Sequence, residues 1–253
     1  MSSPADLQAL LKLAEDGAHA AGTLLRHGRS VRVTAESQRD VKLDADRRAE
    51  DVILRVLRDG SDIDVLSEER GAIAGTASGD WRWIVDPLDG SLNYLRGMPL
   101  CAVAVGLWGG DEPVAGAVYD FNGDAMFTGL VGKGAWLNGT PIRVSVIGDR
   151  ACAVLGTGFP AGTDFSPESL GRFVTRIRDY RKVRLLGSAA LSLAYVAAGR
   201  LDAYLERDIK LWDVAAGLAI VRAAGGRIVR APSQASHALT VYADNGALPE
   251  SNL

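Results

Sequence analysis

The stretch Trp81-Arg82-Trp83-Ile84-Val85-Asp86-Pro87-Leu88-Asp89-Gly90-Ser91 decides how this chain is read. Trp81 to Val85 read as a buried strand that ends in two carboxylates three positions apart, with a glycine and a hydroxyl behind them. Pro87 fixes its own φ and favours an extended Asp86. Asp86 and Asp89 can then converge on one hard cation if the chain turns between them. Gly90 lets the backbone approach an anion, so its N–H and those of Ser91 and Leu92 could cradle a phosphate. On these residues alone, an Asp/Pro/Gly turn that merely ends a strand fits equally well, and the rest of the chain must decide.

With 253 residues, 47% of them apolar, the chain can bury a substantial core as one large domain or two tightly joined halves. A net charge of -3 gives no basic excess, so a nucleic-acid groove is not indicated. No apolar run reaches the roughly 18 residues that would span a bilayer. Met1 to Asp6 lack the basic and then apolar form of a signal peptide, and the cytoplasm is the expected location. Cys101 and Cys152 each lie in an apolar stretch and are expected to be buried thiols. His19, His27 and His237 read as surface or satisfied histidines. Zinc sites and Ser-His-Asp triads therefore find little support. Chemistry must come from carboxylates and hydroxyls, which suit Mg²⁺, Mn²⁺ or Ca²⁺.

Leu7, Leu10, Leu11, Ala14, Ala18, Ala21 and Leu25 recur at helical spacing and predict an amphipathic helix over 4–27. A second helix is expected over about 44–58, with Asp44 as its N-cap and Asp46 in its first turn. From Trp81 to Val146 the chain reads as a β-meander, punctuated by Gly109-Gly110-Asp111, Asn122-Gly123-Asp124 and Gly132-Lys133-Gly134. After residue 150, strands (152–156, 183–186, 201–206, near 227–229) alternate with helices (167–180, 188–198, 212–224), a βαβ-type grammar. No linker separates the halves, and the site is expected at their junction.

Further acids stand at predicted element ends. Glu68-Glu69 follow the likely strand Ile63 to Leu66, Asp40, Asp44 and Asp46 form another group, and Asp213 starts a helix. Singly, these read as a solvated loop, a cap or a dipole partner. Together, in a chain almost without His and Cys, they are more economically one metal site.

These motifs resemble the inositol monophosphatase family of Mg²⁺-dependent, lithium-sensitive phosphatases. The glutamate pair stands here as Glu68-Glu69, the Asp-Pro-Leu-Asp-Gly-Ser motif as residues 86 to 91, and the later Trp-Asp and Ala-Gly-Gly as Trp212-Asp213 and Ala224-Gly225-Gly226. Their order and separations match over nearly the whole chain. The resemblance implies a mixed α/β (α+β) fold, a layered αβαβα sandwich, forming a single unit over 1–253 with approximate halves 1–146 and 147–253, and a homodimer. It places metal ligands on Glu68, Asp86, the carbonyl of Leu88, Asp89 and Asp213, for two or three Mg²⁺ ions with Mn²⁺ as a substitute. It makes Asp46 and Ser91 the residues that orient or activate the attacking water, with Glu69 acting through a bound water. Gly90 and Ser91 match the phosphate-binding backbone, and Gly187, Ser188, Ala189 and Glu206 match positions that contact substrate hydroxyls.

The departures are few. Ser91 stands where many members have Thr, keeping the hydroxyl and losing a methyl that helps fix the rotamer. Arg207 and Lys210 add charge near Trp212-Asp213; they read as solvated surface, and as contacts for a second anionic group only if they face the cleft. Asn93 resembles the inositol and histidinol phosphatase pattern. The expected activity is hydrolysis of a small polyol phosphate, with inositol 1-phosphate first and histidinol phosphate or fructose 1,6-bisphosphate as alternatives. A regulatory, protein-binding role on the same scaffold is the alternative of another class.

Overall fold

The leucine and alanine spacing at the start of the chain becomes α1 (Pro4–His27), which buries Leu11, Ala14, Ala18, Ala21 and Leu25. The computed structural model describes residues 4–28, 32–36, 41–77, 79–160 and 163–250. An antiparallel hairpin of β1 (Val33–Glu36) and β2 (Val41–Leu43) leads into α2 (Asp44–Gly60). Asp44 is not the cap of this helix. Leu43 holds the cap position, and Asp46 in the first turn reaches back to accept the Leu43 N–H at 2.5 Å, half of a capping box. Asp44 instead accepts the Arg32 N–H at 2.9 Å and ties the hairpin to the helix.

The meander follows as β3 (Asp64–Ser67), β4 (Gly71–Ile73), β5 (Trp81–Asp89), the short α3 (Ser91–Leu95), β6 (Ala102–Gly109), β7 (Glu112–Asp120), β8 (Ala125–Leu130), β9 (Gly134–Leu137) and β10 (Thr140–Ile142). Among the described residues these strands form one sheet ordered β10-β9-β8-β7-β6-β5-β3-β4, antiparallel except where β3 runs parallel to β5. The second half supplies β11 (Val154–Thr157), α4 (Pro167–Ile177), β12 (Lys182–Leu185), α5 (Ala189–Ala197), β13 (Ala203–Lys210), α6 (Leu211–Ala223), β14 (Arg227–Pro232) and β15 (Ala238–Asp244). The second sheet is ordered β12-β11-β13-β15-β14, with β12, β11 and β13 parallel and β15 antiparallel to both its neighbours.

Helices α1 and α2 cover one face of the first sheet, and α5 and α6 fill the space between the sheets. Ile177 at the end of α4 packs with Leu155, Leu205 and Tyr242 on the outer face of the second sheet. The layers run αβαβα, as the motifs imply. Two local readings change. The strand expected from Cys152 begins at Val154, because Arg150–Cys152 wind into a three-ten turn capped by Asp149. Cys152 is therefore exposed, while Cys101 is buried.

One packing detail fixes the geometry of the junction. Gly106, Gly116 and Gly129 lie opposite one another on β6, β7 and β8. A Cβ on Gly116 would stand 2.3 Å from the Ala216 carbonyl oxygen, and one on Gly129 2.7 Å from Cα of Ile220. The three glycines form a groove in which α6 lies against the sheet backbone. Trp108 Nε1 reinforces the contact by donating to Ala215 O at 3.2 Å. The start of α6, with Asp213, is thereby held beside β5 and β6.

Candidate functional site

The Asp-Pro-Leu-Asp motif sits on a β-bulge. Asp86 pairs with Ala104 and Asp89 with Ala102, and the register slips between them. Pro87 has no N–H to give the ladder, so the irregularity falls there and releases Leu88 from regular pairing. The Leu88 N–H turns back to Asp86 Oδ1 at 3.0 Å, and the Leu88 carbonyl accepts from Ser91 Oγ at 2.9 Å. Gly90 takes φ +87 and starts α3, and a Cβ there would stand 2.8 Å from Leu100 O. Only glycine meets both demands. Ser91 Oγ also lies 2.9 Å from Asp46 Oδ1. One hydroxyl proton thus serves two acceptors, the Asp46 carboxylate and the Leu88 carbonyl.

Asp86, Asp89, Asp213 and Glu68 come together around this bulge. Burial, reinforced by the charges of Glu68, Asp89 and Asp213, pushes the Asp86 carboxyl well above the usual carboxylate range. Asp213 is raised by burial and then by Asp89, Glu68 and Glu206, while a hydrogen bond to Asp86 acts the other way. Asp89 stands at about 6 because burial outweighs the donors at Ser188, Ala190 and Ala189. Asp46 is also raised to about 6 by burial, against the Leu43 N–H and the Ser91 hydroxyl. Among the described residues no three Asp, Glu, His or Cys side chains are placed so that together they could hold a cation without moving. What the site offers is a set of carboxylates that raise one another's pKa, with the Leu88 carbonyl on the same bulge as Asp86 and Asp89. Oxygen-only donors of this kind fit a hard divalent cation, which would relieve the repulsion.

The glutamate pair lies at the β3–β4 turn. Lys42 Nζ hydrogen-bonds Glu69 and stands 3.6 Å from Glu68 Oε1, and Arg47 Nε is 3.7 Å from Glu69 Oε2. Glu69 is therefore held by two cations at the rim. Behind the turn, the fully buried Glu50 accepts from Ser67 Oγ and from the Arg70 N–H at 3.1 Å. Neither Lys42 nor Glu50 stood out in the sequence. Lys42 lies in a three-residue strand, and Glu50 reads as one more acidic residue on a helix.

On the far side, Ser188 caps α5 and gives its hydroxyl proton to Asp89 Oδ2, which also accepts the Ala190 N–H at 2.8 Å. Ser188 and Ala189 thus hold Asp89 in place, and Gly187 is exposed beside them. Asn93 donates its amide to Leu100 O at 2.7 Å and Leu186 O at 2.9 Å, joining α3 to the Gly187 loop. It acts on the scaffold rather than presenting its amide to a ligand. Glu206 is buried, accepts from Tyr204 Oη at 2.7 Å, and is raised to about 7 by that burial. It lines a cavity of about 230 Å³ together with Arg207. Arg207 therefore faces a cleft, whereas Lys210 donates to Ser236 O at 2.9 Å and stands over the Trp212 ring. Asp40 lies outside the described residues.

A model of the inositol monophosphatase family matches residues 6–251. The inositol-1-monophosphatase of Mesorhizobium japonicum is 41% identical over 204 residues, covering 78% of this chain and 74% of that protein. The Nus factor SuhB of Pasteurella multocida is 38% identical over 225 residues, covering 87% and 84%. The solved structure of inositol monophosphatase from Anabaena superposes with a TM-score of 0.83 at 34% identity, covering 96% of this chain and 92% of that one.

Proposed function

This chain belongs to the inositol monophosphatase family and is a phosphoric monoester hydrolase, and on that premise we propose that it releases phosphate from a small polyol phosphate of the inositol 1-phosphate type. The observation that carries the proposal is the mutual repulsion of Asp86, Asp89, Asp213 and Glu68 at the bulge that also carries Leu88. A divalent cation bound among them would displace the protons that burial and mutual repulsion otherwise keep on these carboxyls. Glu68, Asp86, Leu88 O, Asp89 and Asp213 would hold Mg²⁺. A cation held there would supply Lewis acidity toward the phosphate oxygens and toward the attacking water.

The chain's own groups do the rest. Asp46 accepts from Ser91 Oγ and keeps a second oxygen on the Leu43 N–H, so the pair is fixed in orientation. Their hydroxyl and carboxylate place a water for in-line attack, and a carboxylate at about 6 is basic enough to take its proton near neutrality. The first backbone N–H groups of α3, from Ser91 onward, precede the helix ladder that begins at Tyr94 N–H to Gly90 O, and they bind phosphate oxygens. Glu206 accepts a substrate hydroxyl. Cys101, pushed up to about 12 by burial, is no nucleophile at neutral pH, and no covalent intermediate is required.

A second reading has one observation behind it. The Pasteurella multocida relative is named a Nus factor, so a protein-binding role on the same scaffold is open to this chain. The test is phosphate release from inositol 1-phosphate, histidinol phosphate and fructose 1,6-bisphosphate with and without Mg²⁺. Mg²⁺-dependent, Li⁺-sensitive release supports the hydrolase. Its absence with every compound favours the binding role.

A further inference from the structure

One buried carboxylate has no task in the hydrolysis described above. Glu50 lies on α2 among Ala45, Ala49, Ile53, Leu54 and Leu57 and is fully buried. Stability alone does not account for it, because a well-packed apolar residue would avoid the cost of taking a carboxylate out of water. Its partners bracket the glutamate pair. Glu50 Oε1 accepts from Ser67 Oγ and from the Arg70 N–H at 3.1 Å, and Oε2 lies 3.1 Å from Arg70 Nε. That second oxygen is buried without an aligned donor, so the guanidinium meets it as an ion pair. Arg70 also pairs with Asp51, the next residue of α2.

Ser67 pairs with Gly71 across the β3–β4 hairpin, and only Glu68, Glu69 and Arg70 lie between them. Glu50 supplies an acceptor for the Arg70 N–H, which stands outside the strand ladder. On the other side, the Glu68 N–H donates at 3.2 Å to the carbonyl of Val85, the residue before Asp86. Glu68 is therefore set against Asp86 by β5 and against α2 by Glu50. Four residues earlier on the same face of α2, Asp46 meets Ser91. The helix thus carries the water-placing carboxylate and the grip on the glutamate loop in one rigid piece.

We infer that Glu50 is a positioning residue: it clamps the β3–β4 loop to α2, so that Glu68 is presented to the cation in register with Asp46 and Asp86. This rests on the hydrolase reading above and adds a residue to its machinery. Glu50 acts through the backbone of the loop, not on the cation. Groups that hold a metal ligand in place account for about 10- to 100-fold in metal affinity, and a grip one step removed belongs at the low end of that range.

The test is titration calorimetry with Mg²⁺ alone, at a temperature where circular dichroism shows every variant folded. Glu50→Ala should weaken Mg²⁺ binding about tenfold and raise the Mg²⁺ needed for half-maximal phosphate release by the same factor, with kcat at saturating Mg²⁺ within about threefold of wild type. Glu50→Gln loses the charge and keeps an oxygen for Ser67 and Arg70. It should bind Mg²⁺ within about threefold of wild type, which separates positioning from long-range attraction of the cation. Leu155→Ala, in the core of the second sheet, shows what lost stability does by itself and should leave Mg²⁺ affinity unchanged. Should Glu50→Ala fail to fold, Ser67→Ala removes one contact and should weaken Mg²⁺ binding about fivefold. Wild-type affinity in folded Glu50→Ala or Ser67→Ala overturns the clamp and leaves the hydrolase intact. So does an equal loss in Glu50→Gln or in Leu155→Ala. A wild-type protein that neither binds Mg²⁺ nor releases phosphate from inositol 1-phosphate overturns the hydrolase reading, and the clamp with it.

Discussion

Replacing Glu206 by glutamine should stabilise the metal-free protein in alkaline buffer and have little effect in acid. Burial raises this carboxyl from its ordinary 4.5 to about 7, against the Tyr204 hydroxyl that favours its ionised form. The native state therefore holds a proton that the unfolded chain gives up, between pH 4.5 and about 7. A folded-state pKa above the unfolded one means that stability falls as pH rises through this window and is flat above it. At 1.36 kcal/mol for each tenfold change in proton affinity, ionising Glu206 costs about 3 kcal/mol at pH 8 and under about 1 kcal/mol at pH 5. Glutamine keeps an oxygen for Tyr204 and never ionises. Urea denaturation in a metal chelator at both pH values is the assay. The variant should exceed wild type by about 3 kcal/mol at pH 8 and lie within about 1 kcal/mol of it at pH 5. The same difference at both pH values would refute burial as the cause.

Other residues give sharper tests of single contacts. Ser91→Ala removes the hydroxyl shared by Asp46 and Leu88, so kcat should fall about 10²-fold or more with little change in KM, and loss of that bond should move the acidic limb of the rate profile upward. An unchanged kcat would remove the pair from water placement. Lys42→Met leaves Glu68 and Glu69 without their ammonium partner, and Mg²⁺ affinity by titration calorimetry should tighten up to about fivefold; unchanged or weaker binding would show that Lys42 does not compete with the cation. Asn93→Ala strands the Leu100 and Leu186 carbonyls, and denaturation should show a loss of about 2 kcal/mol. A wild-type midpoint would mean that water satisfies those oxygens.

The sequence made the long elements plain because their apolar periodicity is local. α1 and α2 fall where Leu7 to Leu25 and Ala45 to Leu57 place them, and the meander follows its Gly-rich turns. β15 escaped because its place between β13 and β14 depends on long-range pairing rather than on any pattern within Ala238–Asp244. At the site, the carboxylates were legible as residue types at element ends. Their supports were not. Ser188 reads as a helix cap, and only the fold brings its hydroxyl to Asp89, 99 positions away. Asn93 looked like a substrate marker, yet its amide is spent on the Leu186 carbonyl, 93 positions on. Arg207 looked like solvated surface until α4 brought Arg172 and Arg176 to the same cavity.

Asp213, set beside Asp86 by the glycine groove under α6, is proposed to hold a cation for phosphate release. Phosphate release by Asp213→Asn from inositol 1-phosphate at saturating Mg²⁺, with circular dichroism to verify the fold, tests it most directly. The expected result is a wild-type spectrum with kcat lowered by orders of magnitude. A folded variant that turns over at close to the wild-type rate would contradict it.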